Sequence, residues 1–434
     1  MRVGIGTARE DAVVAARTVS PGETPDGRQQ VHSAPGSSAR MNVTTGIVLA
    51  AGEGTRMRPL TNDRPKTMLP AADRPVLEHV LDVLVDCGLE RICLVVGYER
   101  ERVQEHFGHA HREVPLTYVH QRKQLGSGHA LRQAAATVEP PVLVLNGDRV
   151  IGEGIVSGVL DAFDGRPTVS ALEHPTPSKY GAVRVDDGRL TELVERPDDD
   201  SYRLINAGVY AFDERVFDAA GRTTRRDGEL QLPDVIGTLM DDGEVRAART
   251  DGLWGDATYP WDLLYLNREL LARGRIDRPR RAEAIWVADS ARVHGTATLQ
   301  PPVVVCPDAE VAAGSVVGPN VTVGRNGTVG ANTTLRNAIL DADCRVGDGA
   351  TLVDCVAGRK VAVGVGSTVV GGPGDVHVEG RVFEDRALGA VLADRATVGG
   401  GVTVAPGTLV GADATVGDGV HLSGTIADGA EVVR

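Results

Sequence analysis

A loop near residue 50 combines glycines with basic side chains, and these residue types suit phosphate binding. The apolar run Gly46-Ile-Val-Leu-Ala50 is typical of a buried strand. Glycines after such a strand let the backbone approach a ligand, so that its N–H groups can face phosphate oxygens. Arg56 and Lys66 supply positive charge nearby, and the pattern therefore indicates nucleotide chemistry. The residues expected at the nucleotide are Leu49, Ala51, Gly52, Gly54 and Thr55.

A carboxylate follows a second apolar run. Val142-Leu-Val-Leu145 is typical of a buried strand, and Asn146-Gly-Asp148 comes directly after it. Ligands of open α/β sheets bind beyond the carboxyl ends of the strands. We therefore expect Asp148 to lie in the same crevice as the glycine loop.

The elements that position these residues follow an alternating order. From about residue 46 to residue 272, strand patterns alternate with helical ones, including a helix from Pro75 to Gly88 and another over 128–138. This order predicts an α/β, Rossmann-like domain with a mostly parallel sheet and helices on both faces.

The string Leu49 to Pro59, followed by Arg64-Pro-Lys-Thr-Met-Leu-Pro70, resembles the signature of the sugar-1-phosphate nucleotidylyltransferases. The resemblance implies a Mg²⁺-dependent transfer of a nucleotidyl group from UTP or dTTP to a sugar-1-phosphate, with release of pyrophosphate. Because the incoming phosphate is already a nucleophile, this reaction needs positioning and charge neutralisation rather than an activated serine or cysteine. Arg56 corresponds to the arginine that grips the pyrophosphate, and Lys66 to the lysine that reaches the sugar phosphate and the α-phosphate.

Further strings extend the resemblance to the metal and the base. Leu253-Trp-Gly-Asp256 resembles the family's Trp-x-Asp string, so Asp148 and Asp256 are the expected magnesium ligands. Gln121 resembles the amide that reads a pyrimidine, with Gly126 and Ser127 beside it. A structural alternative is a polar loop in which Ser127 is the N-cap of the next helix, and His129 is expected to be a structural hydrogen-bonding residue.

The sugar side of the resemblance is spread along the chain. Tyr180-Gly181 contains the glycine that contacts the sugar in relatives, and Glu195 and Asn206 match residues that bind sugar hydroxyls. Arg196 stands where the family has a lysine, which keeps the charge and changes the donor geometry. The segment 228–234 resembles the part that closes over the site.

The second half of the chain has a period of six residues. Aliphatic residues recur from Val287 to Leu335, resume at Leu340 to Leu352 and return from Leu392 to Leu422. This is the hexapeptide signature of a parallel β-helix, which coils left-handed in the proteins that carry the pattern. Residues 354–390 break the period and are expected to form an irregular segment.

Two alternatives concern the role of these repeats. Bifunctional relatives of the resembled family acetylate glucosamine-1-phosphate on the β-helix, but His294, His377 and His421 are isolated in the sequence. A non-catalytic regulatory subunit is the other alternative, although the predicted catalytic residues are all present. We expect the repeats to assemble the chain into a homo-oligomer, by analogy a trimer.

Composition limits the remaining possibilities. A net charge of -13 and an aromatic content of 3% argue against nucleic-acid binding. No apolar run is long enough for a membrane span, and the five cysteines show no metal-ligand spacing, which favours a cytoplasmic protein. The expected organisation is a disordered tail or mis-assigned start at 1–43, a nucleotidyltransferase domain at 44–275, a linker at 276–284 and the β-helix at 285–434.

Overall fold

The computed structural model describes residues 42–434, and residues 45–272 form an α/β part. Its strands are β1 (Thr45–Ala50), β2 (Pro70–Ala71), β3 (Arg74–Pro75), β4 (Arg91–Val96), β5 (Ala110–His111), β6 (Val114–His120), β7 (Val142–Asn146), β8 (Arg149–Ile151), β9 (Thr168–Glu173), β10 (Gly181–Asp186), β11 (Arg189–Glu195), β12 (Leu204–Phe212), β13 (Arg246–Thr250) and β14 (Trp254–Asp256). Its helices are α1 (Val76–Asp86), α2 (Arg100–Phe107), α3 (Ser127–Ala134), α4 (Glu153–Ala162), α5 (Arg215–Arg222), α6 (Leu232–Asp242) and α7 (Pro260–Ala272), with 3-10 turns at Thr55–Met57, Lys66–Met68 and Pro177–Lys179.

The main sheet of this part has ten strands in the order β10-β11-β13-β9-β12-β7-β1-β4-β6-β5. Strands β7, β1, β4 and β6 are parallel, whereas β12 joins β7 in the antiparallel sense. The Rossmann-like fold class is confirmed, with the parallel strands at the centre and antiparallel pairs on both sides. Because β1 and β7 are neighbours, the glycine loop after Ala50 and Asp148 after Asn146 lie at the same edge.

Local sequence explains the helices that support this edge. Helix α1 begins after Pro75 and buries Leu77, Leu81 and Leu84 against the sheet, as its apolar spacing predicts. The helix predicted over 128–138 is shorter in the structure. Helix α3 ends at Ala134, and a turn follows it.

His79, on α1, is buried within this core, and its Nε2 lies 2.8 Å from the backbone oxygen of Ala71. Burial, with a contribution from Arg74, lowers the pKa of His79 to about 4. Below pH 6.5 the unfolded chain therefore binds a proton that the folded chain excludes, so stability falls as the pH falls. At pH 5 this linkage costs about 2 kcal/mol.

We expect the replacement His79→Gln, whose amide can donate to the same carbonyl, to remove that linkage. Chemical denaturation at pH 7.5 and pH 5 measures it. The free energy of unfolding of the parent should fall by about 2 kcal/mol more than that of the variant. Equal losses in the two proteins would contradict a neutral buried imidazole.

The second part of the chain is a parallel β-helix, as its period predicts. Strands pair with the strand one coil later, for example Val287 with Val305 and Val305 with Val323. The first face contains Ile285–Val287, Val303–Val305, Val321–Val323, Ala390–Leu392, Thr408–Val410 and Thr425–Ile426. The second contains Arg292–Val293, Glu310–Val311, Thr328–Val329, Arg345–Val346, Ala362–Val363, Thr397–Val398, Thr415–Val416 and Glu431–Val432. The third contains Thr298–Leu299, Val316–Val317, Thr368–Val369, Thr403–Val404 and His421–Leu422. Two longer strands, Thr334–Leu340 and Thr351–Ala357, each turn a corner of the coil and so belong to both the third and the first face.

The prediction of an irregular segment at 354–390 needs correction. Ala362–Val363 and Thr368–Val369 remain in the parallel ladders of the β-helix. Only after them does the chain leave the coil, and it forms an antiparallel hairpin of Gly374–Val378 and Arg381–Arg386 before returning at Ala390. Glycine and proline in 371–374 obscured the period, although most of the segment is regular.

The predicted domain bounds remain predictions. The predicted linker at 276–284 contains a strand, Arg280–Ala282, which pairs antiparallel with Ile285–Val287. The predicted tail at 1–43 lies, except for its last two residues, outside the described part of the chain.

The two parts pack against each other through α7. The central residues of the first-face strands point outward, and Val304, Ile339 and Val391 join one buried cluster with Leu263 and Leu270 of α7. This arrangement fixes the β-helix directly beside the carboxyl edge of the α/β sheet.

An ion-pair cluster reinforces this contact. Arg64, whose side chain is only 4% exposed, places Nη1 2.5 Å from Asp341 and Nη2 3.3 Å from Asp394. Arg359 also pairs with Asp394. Because Arg64 lies two positions before Lys66, the cluster holds the segment that carries Lys66 against the β-helix.

No helix in residues 42–434 is both long and apolar enough to cross a membrane.

Candidate active site

Lys66, Asp148 and Asp256 converge at the carboxyl edge of the sheet. The Nζ of Lys66 lies 2.7 Å from Oδ2 of Asp148 and 3.7 Å from Oδ1 of Asp256. Asp148 is positioned by the end of β7, and Asp256 by the pairing of β14 with β8, which places Asp256 opposite Arg149. Two carboxylates that are distant in sequence therefore both face the ammonium group of Lys66.

The charges at this point stabilise one another. Burial by itself would lower the pKa of Lys66, but Asp148 and Asp256 outweigh it and the pKa is raised. Burial would raise the pKa of Asp148, but Lys66 and Arg149 outweigh it and the pKa is lowered. Lysine is thus held protonated and aspartate ionised.

These residues suit a divalent cation, which enzymes of this family generally use. The ammonium of Lys66 occupies the point that both carboxylates face, so a cation is already stabilised there. Two carboxylates are a typical protein contribution to a Mg²⁺ site, in which water and substrate phosphates complete the shell. Residues 42–434 contain no cluster of three or more metal-ligating side chains, so phosphate oxygens would be required.

The glycine loop approaches the same point closely. Gly54 has a φ of 70°, and a Cβ on it would lie 2.6 Å from Cβ of Lys66. A Cβ on Gly52 would meet nothing within 4 Å, because this residue borders open cavity. The loop therefore packs against Lys66 on one side and leaves room for a ligand on the other.

Thr55 and Arg56 contact the β-helix hairpin. The hydroxyl of Thr55 donates to the carboxylate of Glu379, and Nε of Arg56 lies 3.8 Å from the same carboxylate. The Arg56 side chain is 43% exposed and faces the cavity. Both predicted phosphate-binding residues are thus placed beside an anion of the protein itself.

On the predicted base side, Gln121 is buried and Gly126 forms a tight corner. The Nε2 of Gln121 donates to the Gly126 carbonyl at 3.1 Å and lies 2.9 Å from Nδ1 of His129. Burial, with Arg132 and Arg225, lowers the pKa of His129, which favours its neutral, accepting form. Gly126 has a φ of 93°, and a Cβ there would lie 2.4 Å from the carbonyl oxygen of Leu230.

The alternative assignment of Ser127 as an N-cap is wrong. Helix α3 begins at Ser127 itself, and Gly126 is the N-cap residue without a side-chain bond. The Ser127 hydroxyl instead bonds Gln231 at 3.1 Å and the backbone N–H of Leu232 at 2.9 Å. Its bonds tie α3 to the segment 228–234, whose members Glu229, Gln231 and Leu232 line the cavity.

The predicted sugar residues surround another part of the cavity. A Cβ on Gly181 would lie 2.5 Å from Oε1 of Glu195, the end of a flexible side chain, so the two residues are close neighbours in the cavity wall. Burial raises the pKa of Glu195, opposed by Arg149 and Arg196. The Asn206 amide donates to the hydroxyl of Tyr210 at 2.8 Å.

Arg149 is a functional candidate that the sequence analysis missed. Its Nη1 donates to the backbone oxygen of Asn206 at 3.3 Å, and its guanidinium lies 5.6 Å from the ring centre of Trp254. A Cβ on Gly208 would lie 2.2 Å from that Nη1. Its position directly after Asp148 was the available signal in the sequence.

Aromatic residues after Asp256 were also missed. Tyr259 and Trp261 stack with ring centres 4.7 Å apart, and Phe383 of the hairpin contacts both rings. Asp262 accepts backbone bonds from Thr258 and Tyr259, and burial raises its pKa to about 7. The sequence held no local pattern that would join Phe383 to this cluster.

One cavity of about 1140 Å³ unites these groups. All the predicted site residues except Thr55 line it, and Arg149, Tyr259, Trp261, Asp262 and residues of the hairpin complete its walls. Its volume is sufficient for two substrates of the predicted size.

Comparison with known proteins finds a match for each part of the chain. A family model described as nucleotidyl transferase matches residues 45–273, and one described as the GMPPB C-terminal domain matches residues 299–433. The bifunctional protein GlmU of Methanococcus maripaludis strain C7 is 36% identical over 230 residues, which are 52% of this chain and 54% of that protein. GlmU of strain S2 is 30% identical over 400 residues, or 86% of this chain and 92% of that protein.

Two further likenesses concern the α/β part. The UTP--glucose-1-phosphate uridylyltransferase AglF of Haloferax volcanii is 35% identical over 223 residues, covering 50% of this chain and 92% of that protein. A solved UDP-glucose pyrophosphorylase from Acinetobacter baumanii has a TM-score of 0.49 and 21% identity, over 54% of this chain and 94% of that one.

The chain therefore belongs to the nucleotidyl transferase family, and the prediction of an enzyme of the sugar-1-phosphate nucleotidylyltransferase class is confirmed. It spans about half the length of the strain C7 relative and nearly all of the strain S2 relative.

Proposed function

We propose that this chain transfers a uridylyl or thymidylyl group from UTP or dTTP to a sugar-1-phosphate and releases pyrophosphate, with Mg²⁺ as its divalent ion. The observation that carries the proposal is the convergence of Lys66, Asp148 and Asp256 beside the glycine loop. The name of the AglF relative favours UTP and glucose-1-phosphate as the first pair to examine.

The reaction requires an oxygen of the sugar phosphate to attack the α-phosphorus as the bond to the bridging oxygen of pyrophosphate breaks. Lys66 is positioned to neutralise charge on the reacting phosphates. Asp148 and Asp256 would hold the divalent ion, which supplies charge neutralisation between the two substrates. On binding of the triphosphate, Thr55 and Arg56 would lose their contacts with the carboxylate of Glu379. They would contact oxygens of the leaving pyrophosphate instead.

The contacts of Gln121 support a pyrimidine base. Its Nε2 is already used by Gly126 and His129, which leaves Oε1 as the group for a ligand. An amide oxygen accepts a hydrogen bond, and uracil and thymine both offer an N3–H donor. Glu195, Asn206 and Gly181 would bind the sugar, with Arg196 beside its phosphate.

The β-helix is proposed to assemble the chain into a homo-oligomer, by analogy a trimer. Acetyl transfer is not included in the proposal. The histidines considered for it lie apart, with His294 directly after a strand of the second face, His421 on the third face and His377 on the hairpin. A cytoplasmic location remains a proposal, which the free cysteines support.

A pyrophosphate-release assay tests the proposed reaction. Each of UTP, dTTP, CTP, ATP and GTP is combined with glucose-1-phosphate, N-acetylglucosamine-1-phosphate and related sugar phosphates at saturating Mg²⁺. We expect release of pyrophosphate with UTP or dTTP and formation of the matching nucleotide sugar. Turnover with purine triphosphates alone, or with no pair, would contradict the proposal.

A further inference from the structure

The hairpin of Gly374–Val378 and Arg381–Arg386, which the β-helix inserts between two coils, forms one wall of the catalytic cavity. Its Phe383 ring lies 4.7 Å from the ring centre of Tyr259 and 5.2 Å from that of Trp261. Its tip residue, Glu379, contacts the glycine loop through Thr55. The second part of the chain therefore contributes to the site as well as packing beside it.

Arg386 is the cationic residue of this wall. Its guanidinium lies 5.6 Å from the ring centre of Trp261 and 5.8 Å from that of Phe383, and its side chain lines the cavity. The two rings restrict the position of the guanidinium, which reduces the conformational entropy that a bound ligand would have to remove.

One nitrogen of the Arg386 guanidinium has an unused hydrogen-bond donor within residues 42–434. Its Nε is buried and has no hydrogen-bond partner in the described part of the chain. Arg74, Arg246 and Arg278 also have a buried Nε without a hydrogen-bond partner among residues 42–434, but each forms an ion pair with an aspartate. Among residues 42–434, no carboxylate lies within ion-pair distance of Arg386.

Two other cations at the active centre are paired with protein anions. Lys66 has Asp148 and Asp256, and Arg56 has Glu379. The two rings offset part of the desolvation cost of this partly buried guanidinium, but no anion among residues 42–434 offsets the rest. A phosphate would offset that cost with charge-assisted bonds, because the planar fork of arginine matches phosphate oxygens.

We propose that Arg386 is a substrate-binding residue that holds a phosphate group of one of the two reactants. The inference rests on the proposed function for the identity of the reactants. The phosphate belongs either to the sugar-1-phosphate or to the triphosphate, whose β- and γ-groups leave as pyrophosphate. In both cases Arg386, a residue of the β-helix part, adds a phosphate-binding side chain to the site of the α/β part.

The test compares the full-length parent with Arg386→Gln, Arg386→Lys and the control Arg381→Gln. Arg381 begins the second strand of the same hairpin, is exposed and lies outside the cavity wall. Calorimetry measures the binding of inorganic pyrophosphate and of α-D-glucose-1-phosphate, each with Mg²⁺. Initial rates then give KM for each substrate in both reaction directions.

We expect Arg386→Gln to weaken one probe about 10- to 100-fold and to raise the KM of the matching substrate. Arg386→Lys should recover part of the affinity, whereas Arg381→Gln should behave like the parent. A loss confined to glucose-1-phosphate identifies the sugar phosphate, and a loss confined to pyrophosphate identifies the triphosphate. Unchanged affinity for both probes, with unchanged KM values, would overturn the inference.

The two proposals fail in different ways. A parent that binds a probe through Arg386 but turns over no pair would refute the proposed reaction and retain the phosphate site. A parent that turns over and is unaffected by Arg386→Gln would retain the reaction and refute the site. Thermal unfolding of each variant without ligand shows whether a loss of binding comes from a displaced hairpin.

Discussion

Replacing Asp148 by asparagine is expected to reduce kcat about 10³-fold at saturating substrates. Asparagine keeps the size of the side chain and removes its charge. Lys66 would retain Asp256 at 3.7 Å, so the loop should stay in place. The loss therefore reports the carboxylate itself, and the Mg²⁺ concentration for half-maximal rate should rise as well. Initial-rate measurements over a Mg²⁺ series provide both quantities.

Asp186→Asn is the matched control for this variant. Asp186 ends β10, is exposed and lies outside the cavity, so the same chemical change should leave both kcat and the Mg²⁺ dependence as in the parent. If Asp148→Asn retained the parental rate, Asp148 would have no place in the mechanism.

Replacing Lys66 by methionine is expected to reduce kcat/KM about 10²- to 10³-fold. Methionine preserves much of the packing against Gly54 and removes the only lysine that contacts Asp148 or Asp256 among the described residues. Unlike Asp148→Asn, this change frees both carboxylates. The Mg²⁺ concentration for half-maximal rate should therefore not rise, and this separates the role of the lysine from that of the metal ligands.

Lys123→Met provides the corresponding control, because Lys123 is exposed and does not border the cavity. Steady-state rates and a Mg²⁺ series on the two lysine variants complete the comparison. A Lys66→Met enzyme with parental kcat/KM would show that the observed ion pairs serve the fold alone.

The carboxyl edge of the sheet could be predicted because its signals are local. The apolar runs ending at Ala50 and Leu145 predict strands, and parallel neighbours bring the loops after them together. Asp256 could be predicted as a site residue only because the string Leu253-Trp-Gly-Asp256 resembles one in the family. Its placement depends on the antiparallel pairing of β14 with β8, which joins segments about a hundred residues apart.

The hairpin wall could not be predicted from the sequence. Its position depends on the ion pairs of Arg64 and on the apolar contacts of α7, which are tertiary interactions with no sequence period. The period of six gave no sign of this hairpin, because a segment outside the coil lacks the inward aliphatic residue that marks each repeat. Ser127 shows a related limit, since Gln231 and the Leu232 N–H bond its hydroxyl from a distant segment.

An anomalous difference map from crystals soaked with Mn²⁺ and a non-hydrolysable UTP analogue tests the central claim most directly. The account predicts a single manganese peak bonded to the carboxylates of Asp148 and Asp256, with the triphosphate along the glycine loop and Lys66 turned to a phosphate oxygen. A bound triphosphate whose manganese contacts neither aspartate would contradict it.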